Sequence, residues 1–157
     1  MLEAAAHRLA TSADVHRRLN DPTLFRRDLE TILRDAVASV IDPRTVSLAF
    51  NIEQVDLTFD QMSVITMLVI EAAHNAQKHV FQHGRGTRFS VDLNALPGRR
   101  ARLTIRDDGP GIMPAPDTAG KALGMGIIEG LVRQLGGTAR TDADAGTELA
   151  VEFSAGR

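Results

Sequence analysis

The stretch Glu71-Ala72-Ala73-His74-Asn75-Ala76-Gln77-Lys78-His79 decides how the middle of the chain folds. It lies within residues 60–81, where apolar side chains recur at the spacing of one face of a helix. Glu71, Asn75 and Lys78 are spaced i, i+4 and i+7, so they share the opposite face of that helix. The predicted apolar face consists of Met62, Ile65, Val69, Ala72, Ala73, Ala76 and Val80.

The polar face supplies a carboxylate, an amide oxygen and a cation in one line. A site for Mg²⁺ and a nucleotide needs these groups, because Mg²⁺ takes oxygen ligands and phosphate takes positive charge. A solvated polar face with ordinary i, i+4 pairs explains the same pattern. The rest of the chain has to decide between the two interpretations.

Length and composition limit the possible functions. The 157 residues suit one domain with one core. A formal net charge of −2 provides no field for nucleic acid or an anionic membrane, and the lack of cysteine excludes disulfides and cysteine nucleophiles. No apolar run approaches the roughly 20 residues of a membrane span, so we expect no membrane contact within this chain and a cytoplasmic location.

The first half of the chain predicts helices and then a strand. Residues 2–19 have helical composition, and Asn20-Asp21-Pro22 ends them. Thr23 can cap a second helix that runs to about Val40. Residues 46–52 alternate as a half-buried strand does, residues 55–58 are expected to form a short strand, and Asp60 is expected to cap the helix of the opening stretch.

The second half predicts two hairpins separated by a loop and a helix. Residues 88–96 and 101–106 form the first hairpin, and residues 107–123 are rich in Gly, Pro and Asp and are expected to be a loop. A helix is predicted over 126–135, ended by Gly136-Gly137, and a closing hairpin over 138–141 and 147–153. The fold class is therefore α+β, with helices on one face of a mixed, mostly antiparallel sheet and an N-terminal helical segment.

Two glycine-containing segments are candidate ligand sites. Asp107-Asp108-Gly109-Pro110-Gly111 follows a predicted strand, so Asp107 could accept a hydrogen bond from an exocyclic amine while the glycines allow close approach. An ordinary turn explains this segment equally well. Residues 120–126, Gly-Lys-Ala-Leu-Gly-Met-Gly, precede the predicted helix and could offer N–H groups to phosphate, although a flexible connection is the alternative and the Walker pattern is missing.

The three motifs in this order resemble the ATP-binding domain of the GHKL superfamily, whose members include gyrase, a heat-shock chaperone and histidine kinases. Within that group the chain is most similar to bacterial sensor histidine kinases of a short-lid subgroup. The similar segments are IEAAHNAQKHVF, LTIRDDGPGI and GMGIIEGLVRQLGGTARTDADAGTELAVEF, and the resemblance covers about residues 45–153. It implies a two-layer α/β sandwich of the Bergerat type that binds ATP and Mg²⁺.

The resemblance also implies roles for individual residues. Asn75 would ligate Mg²⁺, and Glu71 would orient or deprotonate the attacking group. Asp107 would bind the adenine amine, and Asp108 is expected to be a turn residue. The remaining implied contacts are Lys78 and His79 with phosphate, Gly109 and Gly111 at the pocket floor, Gly124, Met125 and Gly126 with phosphates at the helix start, and Thr147 near the adenine.

A histidine kinase also needs a histidine that accepts the phosphoryl group, and this sequence offers no good candidate for it. His7 and His16 lie on the first predicted helix, but too few residues separate His7 from Glu71 for a complete two-helix dimerisation domain. Residues 13–22 are similar to the end of a second dimerisation helix. We therefore expect residues 1–22 to be a remnant of that helix and residues 23–157 to be the catalytic domain.

The resemblance implies a histidine kinase that transfers the γ-phosphoryl group of ATP to a histidine outside this chain. Its implied partners are a histidine-bearing dimerisation domain, a response regulator and, through the N-terminal helix, a second copy; no nucleic-acid partner is expected. The alternatives are a serine/threonine kinase of the anti-sigma-factor type and a nucleotide-binding scaffold without catalysis.

Overall fold

A computed structural model describes residues 29–110, 118–143 and 146–156, and only the backbone at 118–125. Helix α1 spans Leu29–Ala38 and is followed by strand β1, Ser47–Ile52, and helix α2, Phe59–His79. A 3₁₀ turn at Phe81–His83 leads into β2, Arg88–Leu96, and β3, Arg100–Asp107. Helix α3 spans Thr118–Leu135, and β4, Thr138–Asp142, and β5, Thr147–Ser154, complete these elements.

The strands form one five-stranded sheet in the order β1-β2-β3-β5-β4. Strands β1 and β2 are parallel, and the other three pairs are antiparallel. The parallel pair is joined by α2, as a parallel connection requires a crossover. The predicted α+β class, with helices on one face of a mixed sheet, is confirmed.

The core lies between the helices and the sheet. Every second side chain of β2 and β3 points into it. Phe89, Val91 and Leu93 of β2 are buried, and they pair in register with Asp107, Ile105 and Leu103 of β3. The intervening residues face outward, where Arg102 forms an ion pair with Glu152 across strands β3 and β5. The alternation of the sequence thus correctly predicts which face of the hairpin is buried.

Helix α2 forms the central helical contact with this sheet. Most of its predicted apolar face is buried, and Ala72 alone of that set is only partly buried. The helix is capped by Thr58 rather than by the predicted Asp60. The Thr58 hydroxyl accepts a hydrogen bond from Gln61 N at 3.1 Å, and the Gln61 side chain accepts one from Thr58 N at 3.1 Å. This reciprocal pair is a capping box, which satisfies two N–H groups at once.

Two other boundaries differ from the sequence prediction. Residues 55–58 form no strand, and the last of them, Thr58, caps α2. Helix α3 begins at Thr118, whereas the sequence predicted a loop to 123 and a helix from Gly126. The loop prediction rested on the Gly, Pro and Asp content of residues 107–123, but a glycine in a helix interior costs only about 1 kcal/mol. The predicted residues 23–28 of the second helix, and all of the first, lie outside the described residues.

Across the described ranges, no helix is long and apolar enough to cross a membrane.

Removal of the Thr58 hydroxyl tests the capping box. We expect Thr58→Ala to lower the free energy of unfolding by about 1 kcal/mol, because Gln61 N loses its acceptor at the first turn of α2. Thr58→Ser keeps the hydroxyl and should retain most of the stability. Denaturant unfolding followed by circular dichroism measures both variants; equal losses in the two would show that the hydroxyl is not what matters.

Candidate functional site

A pocket of about 630 Å³ opens between α2, α3 and the end of the sheet at which β3 finishes. Its walls are mostly apolar and come from all three layers of the fold. Among the described residues, α2 contributes Ala72, Asn75, Ala76 and His79; the sheet contributes Phe89, Ile105, Asp107, Thr147 and Leu149; and α3 contributes Ile128 and Val132.

The face of α2 that meets the pocket carries Asn75 and His79. With Ala72 and Ala76 they are spaced i, i+3, i+4 and i+7, which is one stripe along a helix of 3.6 residues per turn. Glu71 and Lys78 are not among the described lining residues. The structure thus brings Asn75 and His79 into the pocket and leaves Glu71 and Lys78 beside this stripe, so their roles remain predictions.

Asp107 is the buried acid of the pocket. It is the last residue of β3 and is only 8% exposed. Its Oδ1 accepts hydrogen bonds from Gly109 N at 3.0 Å and from Thr147 N at 3.3 Å. Burial raises the pKa of this carboxyl, whereas the two N–H donors act in the opposite direction. Two backbone donors therefore hold the carboxylate in one orientation.

The pairing of β3 with β5 explains why Thr147 is near this acid. Asp107 and Thr147 are partners in the antiparallel register, so Thr147 lies beside Asp107 at the pocket wall. The resemblance implied a place for Thr147 near the adenine, and that role stays a prediction.

Two glycines, Gly109 and Gly146, form the rim of the pocket next to Asp107. A Cβ at Gly109 would lie 2.7 Å from Val80 Cγ2, and a Cβ at Gly146 would lie 2.0 Å from the Asp107 carbonyl oxygen. Gly146 also has a φ of +98°, which disfavours residues with a side chain. Glycine is required at both positions for the chain to pass this close to the acid.

This combination of groups suits a planar heterocycle that carries an amine. The lining side chains Val80, Phe89, Ile105, Ile128, Val132 and Leu149 are apolar, and the oriented Asp107 carboxylate lies among them at the end of β3. Apolar walls accept the faces of a ring, while a buried carboxylate demands an N–H donor from the ligand. The pocket is thus chemically matched to a base such as adenine.

Several residues of the site were missed by sequence reasoning. His83 and Arg85, which follow α2, and Glu129 and Arg133 of α3 line the pocket. No local pattern in the sequence marks these four residues as members of a site. Only the packing of α3 against α2 and the return of the chain into β2 bring them to the pocket.

The glycine segment differs most from its predicted place. Gly124, Met125 and Gly126 lie inside α3 and not at its first residue, so their N–H groups are not at a helix start. Gly126 is exposed and has no atom within 4 Å of where its Cβ would be. Gly111 lies outside the described residues, as do His7 and His16. In the parts described, no group of three or more His, Asp or Glu side chains could hold a metal ion by itself.

Comparison of the fold with solved structures finds histidine kinases. A histidine kinase domain from the Erythrobacter litoralis EL346 blue-light activated histidine kinase matches with a TM-score of 0.75 at 20% identity, covering 93% of this chain and 74% of that one. The mycobacterial sensor histidine kinase MprB matches with a TM-score of 0.54 at 23% identity, covering 78% and 92% respectively. The histidine kinase domain of the E. coli osmosensor EnvZ matches with a TM-score of 0.56 at 20% identity, covering 83% and 88%.

At these identities the matches establish a shared fold. No curated protein matches the chain. Residues 60–157, which make up well over half of the sequence, match the family described as histidine kinase-, DNA gyrase B- and HSP90-like ATPases. Together with the pocket geometry, this match shows that the chain belongs to that family of ATPases.

Proposed function

We propose that this chain is the ATP- and Mg²⁺-binding catalytic domain of a two-component sensor histidine kinase. Residues 23–157 form that domain, and residues 1–22 are the remnant of a dimerisation helix. The main support for this proposal is the buried Asp107 carboxylate. Two backbone donors orient it in a mostly apolar pocket that is also lined by Asn75 and His79. Adenine binds at Asp107, and the phosphates extend toward α2.

The oxygen of Asn75 fits Mg²⁺ in this arrangement. Mg²⁺ keeps several waters and takes its other ligands from substrate phosphates, so one amide oxygen from the protein suffices to place it. When bound, the ion would supply charge neutralisation at the phosphates. Glu71, one helical turn before Asn75, orients or deprotonates the attacking group, and Lys78 and His79 contact phosphate.

The glycine segment, residues 124–126, can contact the phosphates only under one condition. N–H groups inside a helix are bonded to carbonyl groups four residues earlier and cannot also bind phosphate. Gly124, Met125 and Gly126 therefore contact the phosphates only if the first turns of α3 unwind when nucleotide binds. Gly109 and Gly111 shape the floor of the base site.

The acceptor of the phosphoryl group is a histidine outside this chain. A histidine nitrogen attacks the γ-phosphorus, the bond to the bridging oxygen of the β-phosphate breaks, and ADP leaves. The proposed partners are a histidine-bearing dimerisation domain, a response regulator and a second copy of this chain through its N-terminal helix. Support comes from the solved structures that share the fold, which are described as histidine kinases. The proposal implies a cytoplasmic location.

The substitution Asp107→Asn is expected to affect protein stability and ATP binding in opposite directions. Burial raises the pKa of Asp107, so the charged form costs stability as the pH rises from the unfolded-state pKa through the folded-state pKa. We expect the Asn variant to have an equal or higher thermal midpoint at pH 7. Its ATP affinity should fall about 10- to 100-fold, since a hydrogen bond to a charged acceptor is worth roughly 1.5–3 kcal/mol.

Calorimetric titration with ATP and thermal melts at pH 7 measure the two effects. Glu152→Gln is the control, because it changes a carboxyl of β5 that pairs with Arg102 on the outer face of the sheet, and neither residue is among the described residues that line the pocket. Unchanged ATP affinity in Asp107→Asn would contradict the assignment of the base site.

Nucleotide titration and phosphotransfer test the function directly. We expect the wild-type chain to bind ATP, to bind it more tightly with Mg²⁺, and to lose that Mg²⁺ effect in Asn75→Ala. Incubation with labelled ATP and a histidine-bearing helical hairpin should give a labelled hairpin whose phosphoryl bond is acid-labile. An acid-stable product would indicate transfer to serine or threonine instead, and no ATP binding would rule out both kinases.

A further inference from the structure

Asp108 accepts hydrogen bonds from the segment that joins α2 to β2. Its Oδ1 accepts from Thr87 N at 2.9 Å and from Arg88 N at 2.8 Å, and its own N donates to the Arg88 carbonyl oxygen at 3.3 Å. The sequence predicted only a turn residue at this position. The carboxylate instead bridges two segments that are about twenty residues apart in the chain and meet beside the pocket.

The same segment is held at its other end by α2. The backbone carbonyl oxygen of Val80, the residue after α2, accepts from Arg85 N at 2.9 Å, and the Thr87 carbonyl oxygen accepts from Ser47 N of β1 at 2.7 Å. Only Gly86 separates Arg85 from Thr87, so the backbone that carries Arg85 is fixed on both sides. Its side chain, together with that of His83, lines the pocket.

The contact between the two segments leaves no space for a side chain. A Cβ at Gly86 would lie 2.7 Å from Asp108 Oδ1, 2.7 Å from Val80 Cγ1 and 3.3 Å from Gly109 N. Gly109 is also the residue whose N–H orients Asp107. The contact of Gly86 with Asp108 and Gly109 therefore determines both the position of the α2–β2 segment and the orientation of the Asp107 carboxylate.

We propose that Asp108 is a positioning residue for nucleotide binding: it fixes the α2–β2 segment against the end of β3, so that Arg85, His83 and Asp107 form one continuous wall of the pocket. Asp108 acts through these neighbours and does not itself line the pocket. The inference rests on the proposed nucleotide-binding function.

Three variants of the full chain test this role, with Mg²⁺-ATP as the titrated ligand. Asp108→Ala removes both acceptor interactions, and we expect about tenfold weaker ATP binding, equivalent to 1.4 kcal/mol. Asp108→Asn keeps an oxygen that can accept from Thr87 N and Arg88 N, and it should restore affinity to within about twofold of wild type. Gly86→Ala should reproduce the tenfold loss with Asp108 intact, because its Cβ forces the two segments apart.

Matched controls distinguish positioning from general stability. Glu53 is likewise an exposed carboxylate that accepts from a β2 backbone N–H, Ala95 N at 2.9 Å, but at the opposite end of that strand. Glu53→Ala should lower the thermal midpoint and leave ATP affinity unchanged. Gly130→Ala controls for Gly86→Ala, since among the described residues no atom beyond the neighbouring turns of its own helix lies within 4 Å of its Cβ position.

The outcomes are separable. Wild-type ATP affinity in a folded Asp108→Ala overturns the inference while the proposed function stands, and so does an equal affinity loss in Glu53→Ala. If Asp108→Ala does not fold, Gly86→Ala decides: a folded Gly86→Ala with unchanged affinity overturns the inference. Absence of ATP binding in the wild type overturns the proposed function, and it is observed before any variant is compared.

Discussion

Strand β3 is paired along its whole length on both sides, with β2 and with β5, and the site depends on this double pairing. Its last residue, Asp107, therefore has fixed neighbours in both strands, and one of them supplies an N–H to the carboxylate. The next residue, Asp108, leaves the sheet with its carboxylate directed at the start of β2. Two consecutive acids thus accept hydrogen bonds from different segments because the sheet ends between them.

The burial of Asp107 has a thermodynamic cost that the fold does not need. Desolvation opposes the charged form of its carboxyl, and an amide of the same shape could accept the same two backbone hydrogen bonds. Under the proposed function, a ligand that donates a hydrogen bond to Asp107 accounts for an acid buried at this position. The family of ATPases to which the chain belongs supplies that ligand class.

The sequence predicted those parts of the fold that depend on local periodicity. The helix around Glu71–His79, the β2–β3 hairpin and the α+β class follow from spacings of 3.6 and 2, which the chain keeps over many residues. Boundaries were less predictable, because Thr58 and Asp60 are both good capping residues and only the Gln61 partner decides between them. Residues with no periodic signal, such as Arg85, reach the site through tertiary packing alone.

The candidate site was predictable to a similar degree and for similar reasons. Asp107 was identified because it ends a recognisable strand, and Asn75 because it lies on a recognisable helix. The face of α2 that meets the pocket is nevertheless rotated from the predicted polar stripe. Periodicity says which residues share a face, whereas the packing of α3 determines which of these faces borders a cavity.

Strand β4 has a consequence for the behaviour of the protein in concentrated solution. It is an edge strand of only five residues, all exposed, and within the described part of the chain no strand pairs with its outer side. Such an edge is a template for intermolecular sheet extension unless length or charge prevents it. The short sequence Thr-Ala-Arg-Thr-Asp places Arg140 and Asp142 along this edge, and both features disfavour aggregation through the open side of the sheet.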